Sequence, residues 1–118
     1  MVRPWRKGKY KGKGRVPYYP LHEVRLRIRK GKVLVTGSAL EGARQDFNWG
    51  GKDVIEAVLN LKPKHFYKTE ECKAAPGEMV DYYRAKGLKG ENVYIHFYID
   101  IATDTLIIQS CKKLEERS

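Results

Sequence analysis

Hydrophobic patterning is clearest between Asn92 and Lys112. Asn92-Val93-Tyr94-Ile95-His96-Phe97-Tyr98-Ile99-Asp100 alternates apolar with polar-tipped residues, and Thr105-Leu106-Ile107-Ile108-Gln109-Ser110-Cys111-Lys112 is equally rich in strand-forming types. The short Ile101-Ala102-Thr103-Asp104 link between them suits a turn, so the two runs predict an antiparallel hairpin. If Asp100 pairs with Asp104, Tyr94 lies opposite Ser110 and Asn92 opposite Lys112. Tyr94, His96, Tyr98, Ser110 and Lys112 then share a polar-tipped face, while Val93, Ile95, Phe97, Ile99, Ile107 and Cys111 look toward a core. A lone hairpin is marginal in water, so the rest of the chain must supply strands or helices to cover that apolar side.

Earlier segments offer such cover. Asp53 to Leu61 predicts a helix with Val54, Ile55, Val58, Leu59 and Leu61 along one broad stripe, ended by Pro63. Ser38-Ala39-Leu40-Glu41 has capping-box spacing, which predicts a helix from Ser38 to about Asp46. Lys32 to Thr36 reads as a short strand. Leu21 to Lys32 fits two patterns: Val24-Arg25-Leu26-Arg27-Ile28 alternates as a strand would, yet Leu21, Val24 and Ile28 also fall on one helical face. His65 to Lys68 is expected to be extended and Glu70 to Gly77 a loop. Met79 to Arg84 reads as a helical turn or irregular segment, and Ala85 to Gly90 as a loop.

Length and charge narrow the picture. A chain of 118 residues makes one domain with a modest core. It has no apolar run long enough to span a membrane and no leading apolar segment of the signal-peptide kind, so a cytoplasmic location is expected. Cys72 and Cys111 are not in Cys-x-x-Cys spacing and are expected to be reduced thiols. His22, His65 and His96 do not cluster with them, so no metal site is expected.

The net charge of +10 is concentrated at one end. Residues 1–32 hold twelve basic side chains against Glu23 alone, whereas residues 33–118 hold twelve basic and thirteen acidic ones. Such a concentration suits a polyanion, most often nucleic acid. Residues 1–19 read as a basic flexible arm and 20–118 as one folded domain. Within the arm, Trp5, Tyr10, Tyr18 and Tyr19 alternate with Arg3, Arg6, Lys7, Lys9, Lys11, Lys13 and Arg15, a mixture that can stack bases while holding phosphates. The competing readings are a solvated tail, and tyrosines 18 and 19 that only dock the arm onto the domain.

Several motifs, in order, resemble those of the MqsR-type toxins of bacterial toxin–antitoxin systems, part of the wider RelE-like group. They are Val33 to Leu40, the helix Val54 to Leu61, Phe66-Tyr67-Lys68, Asp81-Tyr82-Tyr83-Arg84, Asn92-Val93-Tyr94, and Leu106-Ile107-Ile108 leading into Ser110-Cys111-Lys112. The likeness covers about residues 20–113, and its shared order is more specific than any single motif. It implies an α+β fold, an antiparallel sheet with about three helices packed on it, and favours helix for Leu21 to Lys30. It also implies an endoribonuclease acting on messenger RNA, free or on the ribosome, without metal or cofactor, and restrained by a cognate antitoxin protein. The family positions that contribute to cleavage correspond to Lys68, Tyr94 and Lys112. A family glutamine would fall at Val80, whose side chain can neither donate nor accept a hydrogen bond.

RNA carries its own nucleophile, so a ribonuclease needs to align the 2′-OH with the adjacent phosphorus and stabilise the charge that develops. Lys68 and Lys112 suit the charge, and either could move a proton if its pKa were depressed. Tyr94 can donate a hydrogen bond or stack, and His96 is an additional acid or base candidate. Arg84 is expected to bind phosphate, with Tyr82 and Tyr83 stacking on RNA or packing the core. Two other classes compete: a non-catalytic RNA-binding module with a basic arm, and an interaction protein whose arm recruits an acidic partner.

Overall fold

A computed structural model of the protein describes residues 16–72 and 75–115. Among these residues three helices, α1 (Leu21–Arg29), α2 (Gly37–Phe47) and α3 (Gly51–Leu59), precede most of the sheet. Strand β1 (Val33–Val35) lies between α1 and α2, and a 3-10 turn, Pro63–His65, leads into β2 (Phe66–Glu71). The meander β3 (Met79–Leu88), β4 (Glu91–Asp100) and β5 (Thr105–Lys113) completes an α+β fold. The sheet order is β1-β5-β4-β3-β2. All pairings are antiparallel except β1 with β5, which is parallel. No helix among the described residues is long and apolar enough to cross a membrane.

Local sequence explains the ends. Helix α1 closes with Gly31 at φ +77, its N–H on Ile28 and the Lys32 N–H on Arg27, a left-handed cap. This resolves the ambiguous segment as helix, burying Leu21 and Val24. Helix α2 is capped two residues earlier than Ser38: the Thr36 hydroxyl accepts the Ala39 N–H, because Thr36 is where the chain leaves β1. Lys89 and Gly90, both at positive φ, make the two-residue turn joining β3 to β4.

Two expectations are corrected. Met79 to Leu88 is one continuous strand, not a turn and a loop. Its core face is Asp81, Tyr83 and Ala85, all fully buried, and a carboxylate at such a position hides the alternation. The hairpin register also differs. Asp100 pairs with Thr105, and a bulge beside Gln109 shifts the pairing again, so that Tyr94 lies opposite Lys112 and His96 opposite Ser110. Leu106 and Ile108 therefore enter the core, while Ile107, opposite Tyr98, is only half-buried.

The core joins Val24, Val54, Val58 and Leu61 from the helical layer to Tyr83, Ile95, Phe97, Leu106 and Ile108 of the sheet. Tyr83 stacks on Phe97 with ring centroids 5.3 Å apart. It is fully buried, so it packs the core rather than offering a platform to RNA. Arg27 on α1 reaches Asp104 at 2.6 Å and ties the β4–β5 turn to the helical layer. Beyond its three pairs with β1, the free edge of β5 is covered by α2. Thr36 donates its hydroxyl to the Gln109 carbonyl, and Asp46 accepts the Lys113 N–H at 2.8 Å. Covering an edge in this way blocks pairing with a foreign strand.

Candidate active site on the open sheet face

Helices cover one face of the sheet, and the other displays the candidate chemistry. Strand pairing arranges it in rows. One row runs Lys68, Tyr82, His96, Ser110 across β2 to β5. The next runs Arg84, Tyr94, Lys112 across β3 to β5. Tyr94 and Lys112 are thus directly opposed, with the ammonium 5.4 Å from the phenol ring centre. Arg84 occupies the other side of Tyr94. Lys68 stands at the diagonal corner, three strand spacings or roughly 14 Å from the β5 lysine. Tyr82 and His96 fill the interval, their rings 4.6 Å apart, and Tyr94 meets His96 edge-on at 5.6 Å.

Lys68, Tyr94 and His96 are tuned by their surroundings. Lys68 binds Glu70 at 2.7 Å, and that bond raises its pKa and keeps it cationic. The ammonium is therefore kept in its charged form. Burial pushes the Tyr94 phenol up to about 12, with Tyr82, Glu70 and Tyr67 adding to the shift. Burial lowers the His96 pKa; a contact with Gln109 opposes this and the Lys112 charge reinforces it. The contact runs between His96 Nδ1 and Gln109 Oε1 at 3.2 Å. Near neutral pH the face thus carries permanent cations, a phenol that keeps its proton and an uncharged imidazole.

Val80, 2% exposed and paired with Glu70, lies one row beyond Lys68 on this face. Its isopropyl group contributes packing alone, and Gln109, beside the β5 bulge, is the glutamine whose amide reaches His96 in the Lys68 row.

Further residues join the site that sequence reasoning did not single out. A bulge between Phe66 and Lys68 turns Tyr67 onto the open face beside its neighbour, which strict alternation forbids. Tyr67 is exposed and has the Arg84 guanidinium 4.9 Å from its ring centre. A groove of about 520 Å³ runs along Tyr67, Arg84, Tyr94, Lys112, Lys113 and Glu115. The basic residues Arg3, Arg6, Lys7, Lys9, Lys11, Lys13 and Arg15 lie outside the described residues. Tyr18 and Tyr19, at the root of that arm, are packed against the domain with ring centroids 4.9 Å apart.

No individually curated protein matches the chain. The family described as "Motility quorum-sensing regulator, toxin of MqsA" matches residues 16–112, leaving out residues 1–15 and 113–118. The chain belongs to this MqsR toxin family, whose members are the toxins of toxin–antitoxin pairs.

Proposed function

We propose that the protein is an endoribonuclease toxin that cleaves messenger RNA on the open face of its sheet, and that an antitoxin of the MqsA kind neutralises it. The observation carrying this reading is the direct cross-strand opposition of Tyr94 and Lys112, with Arg84 on the other side of Tyr94 and a groove alongside.

The chemistry follows from the charges. The RNA 2′-OH attacks the adjacent phosphorus, the P–O5′ bond breaks, and a 2′,3′-cyclic phosphate and a 5′-OH remain. Lys112 and Arg84 stabilise the negative charge that grows on the phosphoryl oxygens. Neutral His96 accepts the 2′-OH proton, and the Tyr94 phenol gives its proton to the departing O5′. Lys68, beyond Tyr82, holds a neighbouring phosphate once it leaves Glu70. The exposed Lys68–Glu70 pair is worth at most about 1 kcal/mol, so a phosphate can displace the carboxylate.

The test is cleavage of a synthetic messenger RNA by purified protein without ribosomes, with Lys112→Ala, Lys68→Ala and Tyr94→Phe alongside. Discrete fragments ending in cyclic phosphate, lost in Lys112→Ala and slowed about 100-fold or more in Tyr94→Phe, support the reading. Equal cleavage by all four proteins would overturn it.

A further inference from the structure

Next to the Tyr94–Lys112 groove lies a second one, from whose lining the cleavage chemistry uses Arg84 alone. It has a volume of about 430 Å³ and is lined by Lys64, His65, Phe66, Tyr67, Arg84 and Lys86. Among the described residues that line it, three are cations and none is a carboxylate. Tyr67 and Arg84 also wall the first groove, so the two hollows meet at this one ridge. Lys64 comes from the 3-10 turn and Lys86 from the far part of β3, which places positive charge on both sides of the hollow.

His65 adds a donor of fixed identity. Its Nδ1 lies 3.0 Å from the Lys62 backbone N–H, and a backbone N–H only donates. Burial, then the Lys64 and Lys62 charges, lower the His65 pKa. The ring is therefore neutral near pH 7, accepts at Nδ1 and carries its proton on Nε2.

We infer that this second groove is a subsite for the nucleotide next to the scissile phosphate of single-stranded RNA. Lys64 and Lys86 hold its phosphate. Its base lies against the Tyr67–Arg84 pair, since an unpaired base stacks on a phenol ring or a guanidinium plane. His65 Nε2–H donates to a phosphate or base acceptor. The subsite rests on the ribonuclease reading, and it would fix where along the strand the Tyr94–Lys112 pair acts.

The experiment measures binding without cleavage. Fluorescence anisotropy of a labelled 2′-O-methyl oligoribonucleotide, which cannot be cut because its 2′ oxygen is blocked, is recorded over a range of salt. Full-length protein is compared with the double variant Lys64→Ala/Lys86→Ala, with Tyr67→Leu and with Tyr67→Phe. All three positions are exposed, so the fold should survive, and circular dichroism checks it. The double variant should bind about tenfold more weakly, with a salt slope shallower by about 0.7 for the one phosphate the two lysines hold. Tyr67→Leu should lose about tenfold while Tyr67→Phe stays near wild type. On cleavable RNA the double variant's loss should appear in KM with kcat unchanged, since Lys64 and Lys86 line only the second groove. Undiminished affinity and salt slope in both the double and the Leu variants would overturn the subsite and leave the hollow to an acidic protein partner. A wild type that binds, and is weakened as expected, yet cuts nothing would support the groove as an RNA site and overturn the nuclease reading alone.

Discussion

Tyr19 donates its backbone N–H to the Asp81 carboxylate at 2.8 Å, joining the root of the basic arm to the core face of β3. The Tyr18 N–H reaches the other oxygen at 3.0 Å, and the Thr69 hydroxyl donates to that same oxygen. Tyr19 in turn gives its phenol proton to the Met79 carbonyl at 2.7 Å. The arm thus starts from a point fixed on the sheet, two residues before α1.

Replacing Asp81 with Asn puts an amide NH2 toward donors that need an acceptor. The variant should lose about 2 kcal/mol of stability, the cost of one buried unpaired donor, read as a fall in thermal midpoint. The pH dependence carries a sign. Burial raises the Asp81 pKa to about 6, and its three donors only partly oppose this. The folded state therefore binds this proton more tightly than the unfolded chain does. The resulting stabilisation is full below about pH 4 and is lost as pH rises through about 6. Asn cannot titrate, so the stability gap between wild type and Asp81→Asn should widen from pH 7 to pH 4.5. A constant gap would show that Asp81 does not titrate there.

Lys68 is held by Glu70 before any substrate arrives. Glu70→Gln removes the competitor and the charge that repels phosphate. Binding of RNA should strengthen by about two- to fivefold at low salt, the worth of an exposed ion pair, and the gain should fade at high salt. Weaker binding would mean that Glu70 itself contacts the substrate.

His96 supplies a pH signature. If it takes the 2′-OH proton, cleavage should fall with acidification through a pKa below 6.5, because the charged imidazole cannot accept it. The Gln109 contact raises that pKa, so Gln109→Leu should move the acid limb to still lower pH. His96→Gln should abolish the limb and cost about 100-fold in rate. An unchanged profile in His96→Gln would assign the base to another group.

The hairpin and α3 were legible because their apolar periodicity is uninterrupted. What escaped was set by bulges and by buried polar groups. Bulges beside Gln109 and Tyr67 each reverse the facing of a neighbour, and nothing in the residues around them announces it. Asp81 put a carboxylate where a core residue belonged, so β3 read as irregular, and the partners that make the position tolerable lie 12, 62 and 63 residues away. The pairing of Tyr94 with Lys112 follows from the same bulge. The motif likeness singled out both residues without showing that they are directly opposed.

Gly42 shows how closely that opposition depends on the helical layer. A Cβ built there would lie 2.8 Å from the Cys111 carbonyl oxygen and 3.5 Å from the Lys112 Cβ. Helix α2 can therefore lie along β5 only because position 42 has no side chain. In an unconstrained helix, Gly→Ala gains about 1 kcal/mol. Here the clash is with backbone, which cannot swing aside as a flexible side chain would, so Gly42→Ala should destabilise by about 1–3 kcal/mol. It should also displace β5 just where Lys112 faces Tyr94, so kcat should fall in the fraction that stays folded. Urea unfolding together with single-turnover cleavage at low temperature separates the two effects. A variant more stable than wild type, with full activity, would show that α2 and β5 have room to part.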